Sequence, residues 1–163
     1  MPLFDRYIAV DWSANNRPKA GKDSIWIAER HGGLDEPSLN PRTRHAAISH
    51  LIERLKLAVT SKERVLVGFD FPFGYPAGSA IAIGGSADWS TLWSVIAGEV
   101  EDSDANISNR FSVASGFNGR LSSTGAQFWG CPASAANEWL NTRKVGARFD
   151  LSLIHISEPT RPY

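Results

Sequence analysis

Two aspartates close the two most strand-like runs of this sequence, and they are the residues best placed to do chemistry. Asp11 follows Tyr7-Ile-Ala-Val, and Asp70 follows Val65-Leu-Val-Gly-Phe. Ligands of open α/β sheets bind outside the carboxyl ends of strands, so two carboxylates meeting there would suit Mg²⁺ or Mn²⁺. These hard cations take oxygen ligands and keep waters for a phosphate-bearing substrate. An aspartate after a strand is also a common turn residue. Spacing alone leaves both readings open.

The second feature is basic. Between Ser13 and Ser24 runs Ala14-Asn-Asn-Arg-Pro-Lys-Ala-Gly-Lys-Asp23, a loop by its Pro, Gly and Asn content, with Arg17, Lys19 and Lys22 in it. These three cations could neutralise a phosphate near Asp11, with Ser13 a small residue of the turn beside it; the alternative is a solvated hairpin tip. Arg110, beside Phe111, could grip a phosphate or carboxylate in bidentate fashion, or pair with Glu99, Glu101 or Asp102. Of the six tryptophans, Trp12 and Trp129 adjoin loops that could wall a crevice, with Trp129 expected to line a pocket, whereas Trp26 and Trp93 read as core. His45 and His50 are five apart and do not stack on one helical face; His31, beside Gly32-Gly33, reads as a turn residue. Cys131, before Pro132, reads as a buried structural thiol.

The elements that must position the aspartates follow from periodicity. Tyr7–Ser13 and Ser24–Ala28 should pair as a hairpin, with a weak third strand near Pro37–Arg42. From His45 to Thr60, Ile48, Ile52, Leu55 and Val59 fall on one stripe, so an amphipathic helix is expected with Thr43 as its N-cap. Glu53, the only acid within that helix, should face solvent. Val65–Asp70 reads as a strand covered on both faces, parallel to the first because the helix supplies a right-handed crossover. A second helix is expected from about Ser90 to Val100. Residues 105–150 read as loops with short helices, the last from Ala133 to Thr142.

Composition sets the outer limits. The chain has 163 residues, with 17 Lys+Arg against 17 Asp+Glu and 42% hydrophobic content, as expected of one ordinary soluble domain. Zero formal net charge gives no bulk field to hold a polyanion, so phosphate binding would need a local cluster. A single cysteine excludes an internal disulfide or a multi-thiolate zinc site and suggests a cytoplasmic setting. No apolar leader or long uncharged run points to a membrane.

The order of elements, Val10-Asp-Trp-Ser-Ala14, Phe69-Asp-Phe-Pro-Phe-Gly74, Asn109-Arg-Phe111 and Gln127-Phe-Trp-Gly-Cys-Pro132 together resemble a branch of the ribonuclease-H-like superfamily over most of residues 5–140. The resemblance implies an α/β fold with a mixed sheet: antiparallel strands one to three, a crossover helix, and strand four parallel to strand one. It also implies carboxylates at Asp11 and Asp70 holding Mg²⁺ or Mn²⁺ for phosphoryl or phosphodiester hydrolysis. The substrate would then be a phosphate-containing small molecule or nucleic acid. Nucleases of this fold add a third or fourth carboxylate from the first helix or a C-terminal helix; Glu53 is expected to face solvent, and a C-terminal one would lie past Asp150, so the full metal set stays open. Relatives that are sugar kinases or ATPases imply the alternative of nucleotide-dependent phosphotransfer, and a link to molybdopterin guanine dinucleotide synthesis is a further one. A non-catalytic ligand-binding module is the third reading.

The final stretch Leu151-Ser-Leu-Ile-His-Ile-Ser-Glu-Pro-Thr-Arg161 resembles a translated sequencing adaptor. The expectation is therefore a single, C-terminally truncated domain over 1–150 followed by a non-native tail over 151–163.

Overall fold

A computed structural model of the chain describes residues 3–71, 73–121 and 127–143. The helix expected over 133–142 lies within them; the tail over 151–163 lies outside. The described residues fall into two compact units, one of 3–71 with Ser103–Ile107, the other of 73–102 with 108–121 and 127–143.

The first unit is α/β. Its strands β1 (Arg6–Asp11), β2 (Trp26–His31), β3 (Leu34–Asp35) and β4 (Val65–Phe69) form one mixed sheet in the order β3-β2-β1-β4. β1 runs antiparallel to β2, with Ala9 opposite Ala28 and Asp11 opposite Trp26. It runs parallel to β4, with Ala9 opposite Gly68 and Val10 opposite Phe69. The turn into β3 uses Gly32 and Gly33, whose φ of 58° and 86° lie in the left-handed region that a side chain disfavours. The third strand is thus earlier and shorter than Pro37–Arg42. Of that stretch only Leu39 pairs, in a single antiparallel bridge to Ile27, because Pro37 and Pro41 on either side cannot donate to a ladder.

The crossover between β1 and β4 is helix α1 (Arg44–Thr60), capped by Thr43, whose side chain accepts from the Ala46 N–H. The span matches expectation, but the buried face does not. Arg44, Ala47, Leu51 and Ala58 are buried, whereas Ile48, Ile52, Leu55 and Val59 are 43%, 45%, 37% and 77% exposed. At about 100° per residue, the buried row is turned by about 90° from the Ile/Leu/Val stripe. The reason is close packing: Ala47 and Leu51 join Ile8, Val10, Ile25 and Ile27 in the core, with Val65, Val67 and Phe69 against them. Alanines let the helix approach the sheet where longer branched side chains would hold it off. Glu53 is exposed, as expected.

α1 covers one face of the sheet. On the other face Ala9, Trp26, Ala28, Leu66 and Gly68 are exposed. β4 is therefore not covered on both faces, and Trp26 is not a core residue: strand alternation sends it to the opposite side from Ile25 and Ile27.

Charge is also buried beneath α1. Arg6 and Glu29, 4% and 8% exposed, form an ion pair, and Arg54 joins Glu29 through Nε and Nη2 at 2.8 and 2.6 Å. Arg6 also reaches Glu63, which meets His31 Nε2 at 3.0 Å. His31 is thus the last residue of β2, tied into a charge network, and not a turn residue.

The second unit holds α2 (Ser79–Gly84), α3 (Trp89–Glu99), α4 (Arg110–Arg120) and a 3₁₀ turn at Ala133–Ala135. α3 matches the helix expected from Ser90. α2 is an addition, α4 falls in the stretch read as loops with short helices, and the helix expected from Ala133 shrinks to the single 3₁₀ turn. Ile83, Leu92, Phe117, Leu121, Phe128 and Leu140 form its core. Asn118 acts as a backbone clamp there: its amide donates to Phe128 O and Trp139 O and accepts from the Gln127 and Phe128 N–H groups.

Candidate functional site

Asp11 ends β1 and Asp70 follows β4, so parallel pairing of these strands sets the two carboxylates side by side. Two backbone links fix the arrangement. The Asp70 N–H donates to Val10 O at 3.3 Å, and the Trp12 N–H donates to Asp70 Oδ1 at 2.8 Å. Both residues are exposed. Even so, partial desolvation, followed by the charge of Asp70 and a hydrogen bond to its side chain, pushes the Asp11 carboxyl above its ordinary value. Crowded carboxylates of this kind gain from a shared proton or a cation.

Beside the pair lies an open concavity of about 440 Å³ on the exposed sheet face, lined by Ala9, Ala28 and Gly68 along its floor, with Trp26, Asp11, Asp70 and Ser38. The floor is shallow because the three residues that meet in register across β2, β1 and β4 carry at most a methyl group. Trp26 is held by its Nε1–H, which donates to Gly21 O at 3.1 Å. Trp12 packs edge-on against Phe69 and Phe71 with centroids 6.1 and 6.3 Å away.

The loop after β1 is tightly fastened. Ser13 is buried, donating to Asp23 O at 3.4 Å and accepting from the Asn15 N–H at 3.3 Å. Arg17 is exposed, and its N–H donates to Asn15 Oδ1. Lys19 Nζ meets Asp23 Oδ2 at 3.5 Å, and Lys22 is exposed. Three of the four expected phosphate-binding groups of this loop thus carry charge toward solvent, while Ser13 is occupied internally.

Two residues that sequence reasoning missed hold the loop. Arg44, 7% exposed, donates from its guanidinium to Asn15 O at 2.9 Å, Ser13 O at 3.4 Å and Asn106 O at 2.7 Å. Asn106 donates to Arg17 O and Arg42 O at 3.2 and 3.4 Å, and its Oδ1 accepts from the Arg44 N–H at 2.8 Å. The signal for Arg44 was its place right after a helix cap, where a cation is unfavourable. Asn106 carried no such signal.

Arg110 and Trp129 belong to the second unit. The Arg110 guanidinium lies over the Phe111 ring at 4.6 Å, and Trp129 is half-buried. Glu99, one candidate partner of Arg110, pairs with Arg120 at 2.8 Å. Cys131 is buried with its thiol toward Leu140 O, and His45 is an exposed residue beside Asp104.

Among the described residues no group of three or more His, Cys, Asp or Glu side chains gathers to hold a metal ion, and no helix is long and apolar enough to cross a membrane. Comparison with protein-family models, curated proteins and solved structures finds no match to this chain.

Proposed function

We propose that the chain has a ribonuclease-H-like fold and carries out divalent-metal-dependent phosphoryl or phosphodiester hydrolysis at Asp11 and Asp70. The observation that carries this reading is the meeting of the two carboxylates at the C-terminal ends of adjacent parallel strands, with the Asp11 carboxyl pushed up by its surroundings. Two anions held together at a strand end are unfavourable for the empty protein, and a cation reverses the sign of that interaction.

The donor set fits Mg²⁺ or Mn²⁺, since two carboxylates with remaining sites left to water and phosphate is a usual arrangement for hard cations. When bound, such an ion supplies Lewis acidity toward a phosphoryl oxygen and lowers the pKa of water. The chain's own residues do the positioning. Trp12 N–H orients Asp70, and the cations of Arg17, Lys19 and Lys22 add positive charge to the loop that leaves Asp11.

The test is a thermal-shift titration with Mn²⁺, with and without ATP, on the wild type and on the Asp11→Asn, Asp70→Asn double variant. Mn²⁺ alone should raise the Tm of the wild type and leave the double variant unmoved. Equal shifts in both proteins, or none in either, would overturn the metal site. A shift that needs ATP would replace hydrolysis by nucleotide-dependent phosphotransfer.

A further inference from the structure

We infer that Arg44 is a positioning residue for the Asp11–Asp70 pair, acting through the loop that joins it to Trp12. The inference rests on the reading of that pair as the functional site.

Arg44 is the first residue of α1, where the helix dipole disfavours a cation, and no acid in the first turn offsets it. It is also buried. What the guanidinium does in return is hold three carbonyls, those of Ser13, Asn15 and Asn106, in one planar fork.

A second device converges on the same place. Asn106 adopts φ 64°, a left-handed conformation that asparagine takes more readily than other residues with a side chain, and from there its amide reaches Arg17 O while its Oδ1 accepts from the Arg44 N–H. Carbonyls 13, 15 and 17 of one loop are thereby anchored by Arg44 and Asn106. The anchored loop starts one residue after Trp12, whose N–H is the donor to Asp70.

The geometry has a direct consequence. Without Arg44 the Ser13 carbonyl is released, the Trp12 peptide can rotate, and its N–H no longer has a fixed line to Asp70. Partners that orient carboxylate ligands in this way typically contribute tenfold to a hundredfold in metal affinity.

The experiment measures amide hydrogen exchange at Trp12 and Mn²⁺ affinity on the full chain. Arg44→Met, and Asn106→Gly as a variant that keeps the left-handed backbone, are compared with Ala58→Gly, which loosens the far end of α1. In the first two variants the Trp12 amide should exchange at least about tenfold faster, while β1 amides bonded to β2 and β4 stay protected. Ala58→Gly should leave Trp12 at its wild-type rate relative to those strand amides. Mn²⁺ affinity should fall by about tenfold or more in Arg44→Met and hold in Ala58→Gly.

Unchanged Trp12 exchange in both Arg44→Met and Asn106→Gly would overturn the inference. So would a loss that appears equally in Ala58→Gly. Absence of Mn²⁺ binding by the wild type itself would instead remove the metal reading, with the exchange result still deciding the role of Arg44.

Discussion

Trp12 and Asp70, 58 residues apart, are joined by a 2.8 Å hydrogen bond from the Trp12 backbone N–H to the Asp70 carboxylate. That bond ties the first residue beyond β1 to the first residue beyond β4. It orients one carboxylate toward the strand that carries the other, so on the Asp70 side the pair is held by main chain and not by a free side chain.

The first prediction concerns the pair's dependence on pH. The folded Asp11 carboxyl titrates above its ordinary value, so folding favours its protonated form. Its contribution to stability is therefore greatest below the ordinary carboxylate pKa and is lost as pH rises through the folded value. Asp11→Asn, which keeps the shape and removes the charge, should raise Tm at pH 7 and leave it nearly unchanged near pH 3. Differential scanning calorimetry at the two pH values reads this out. A lower Tm at pH 7 would mean that the pair does not repel.

The second concerns the buried network under α1, where the sign is opposite. Burial pushes the Glu29 carboxyl up, but the hydrogen bonds and charges of Arg54 and Arg6 outweigh it and hold it below its ordinary value. This stability is present above the unfolded pKa and lost as pH falls through the folded one. Glu29→Gln removes the buried anion that Arg6 and Arg54 share, leaves Arg6 only Glu63, and should cost about 2 kcal/mol at neutral pH. The penalty should shrink in acid. Urea denaturation of both proteins at pH 7 and pH 3.5 tests it, and a penalty independent of pH would show that shape, not charge, is what Glu29 supplies.

The third distinguishes the two candidate faces of α1. Leu51→Ala removes a side chain only 4% exposed and should cost about 3 kcal/mol. Ile52→Ala, at 45% exposure, should cost below about 1 kcal/mol. Chemical denaturation of the two variants decides it. Equal losses would restore the Ile/Leu/Val stripe as a packing face.

How far the sequence discloses this arrangement depends on the range of the interaction. The hairpin, the crossover and parallel β4 are legible because each follows from a local apolar run or from the connection rules. Thr43 announces α1, but its buried face is hidden: Ala47 and Ala58 add little to a hydrophobic pattern, and the exposed isoleucines dominate it. The meeting of Asp11 and Asp70 is legible because both end strands whose pairing the crossover dictates. Arg6 with Glu29, 23 residues apart, and Arg44 with Asn106, 62 apart, are invisible to any short window, since nothing local to either residue names its partner. Trp26 was misassigned for a related reason. A tryptophan in a strand reads as core until alternation is fixed, and here Ile25 and Ile27 take the inward positions.

The Asn118 clamp has a consequence in chemical ageing. Asn118 is followed by Gly119, the neighbour that offers least steric resistance when a backbone nitrogen attacks the asparagine amide and releases ammonia. Within α4 the helical backbone keeps that nitrogen out of line, and the amide is occupied by four hydrogen bonds. The fold therefore shelters its own most labile peptide. Each excursion of α4 into a non-helical state exposes it, and the aspartate formed would lose both donors to Phe128 and Trp139. Deamidation would convert a transient opening into permanent damage.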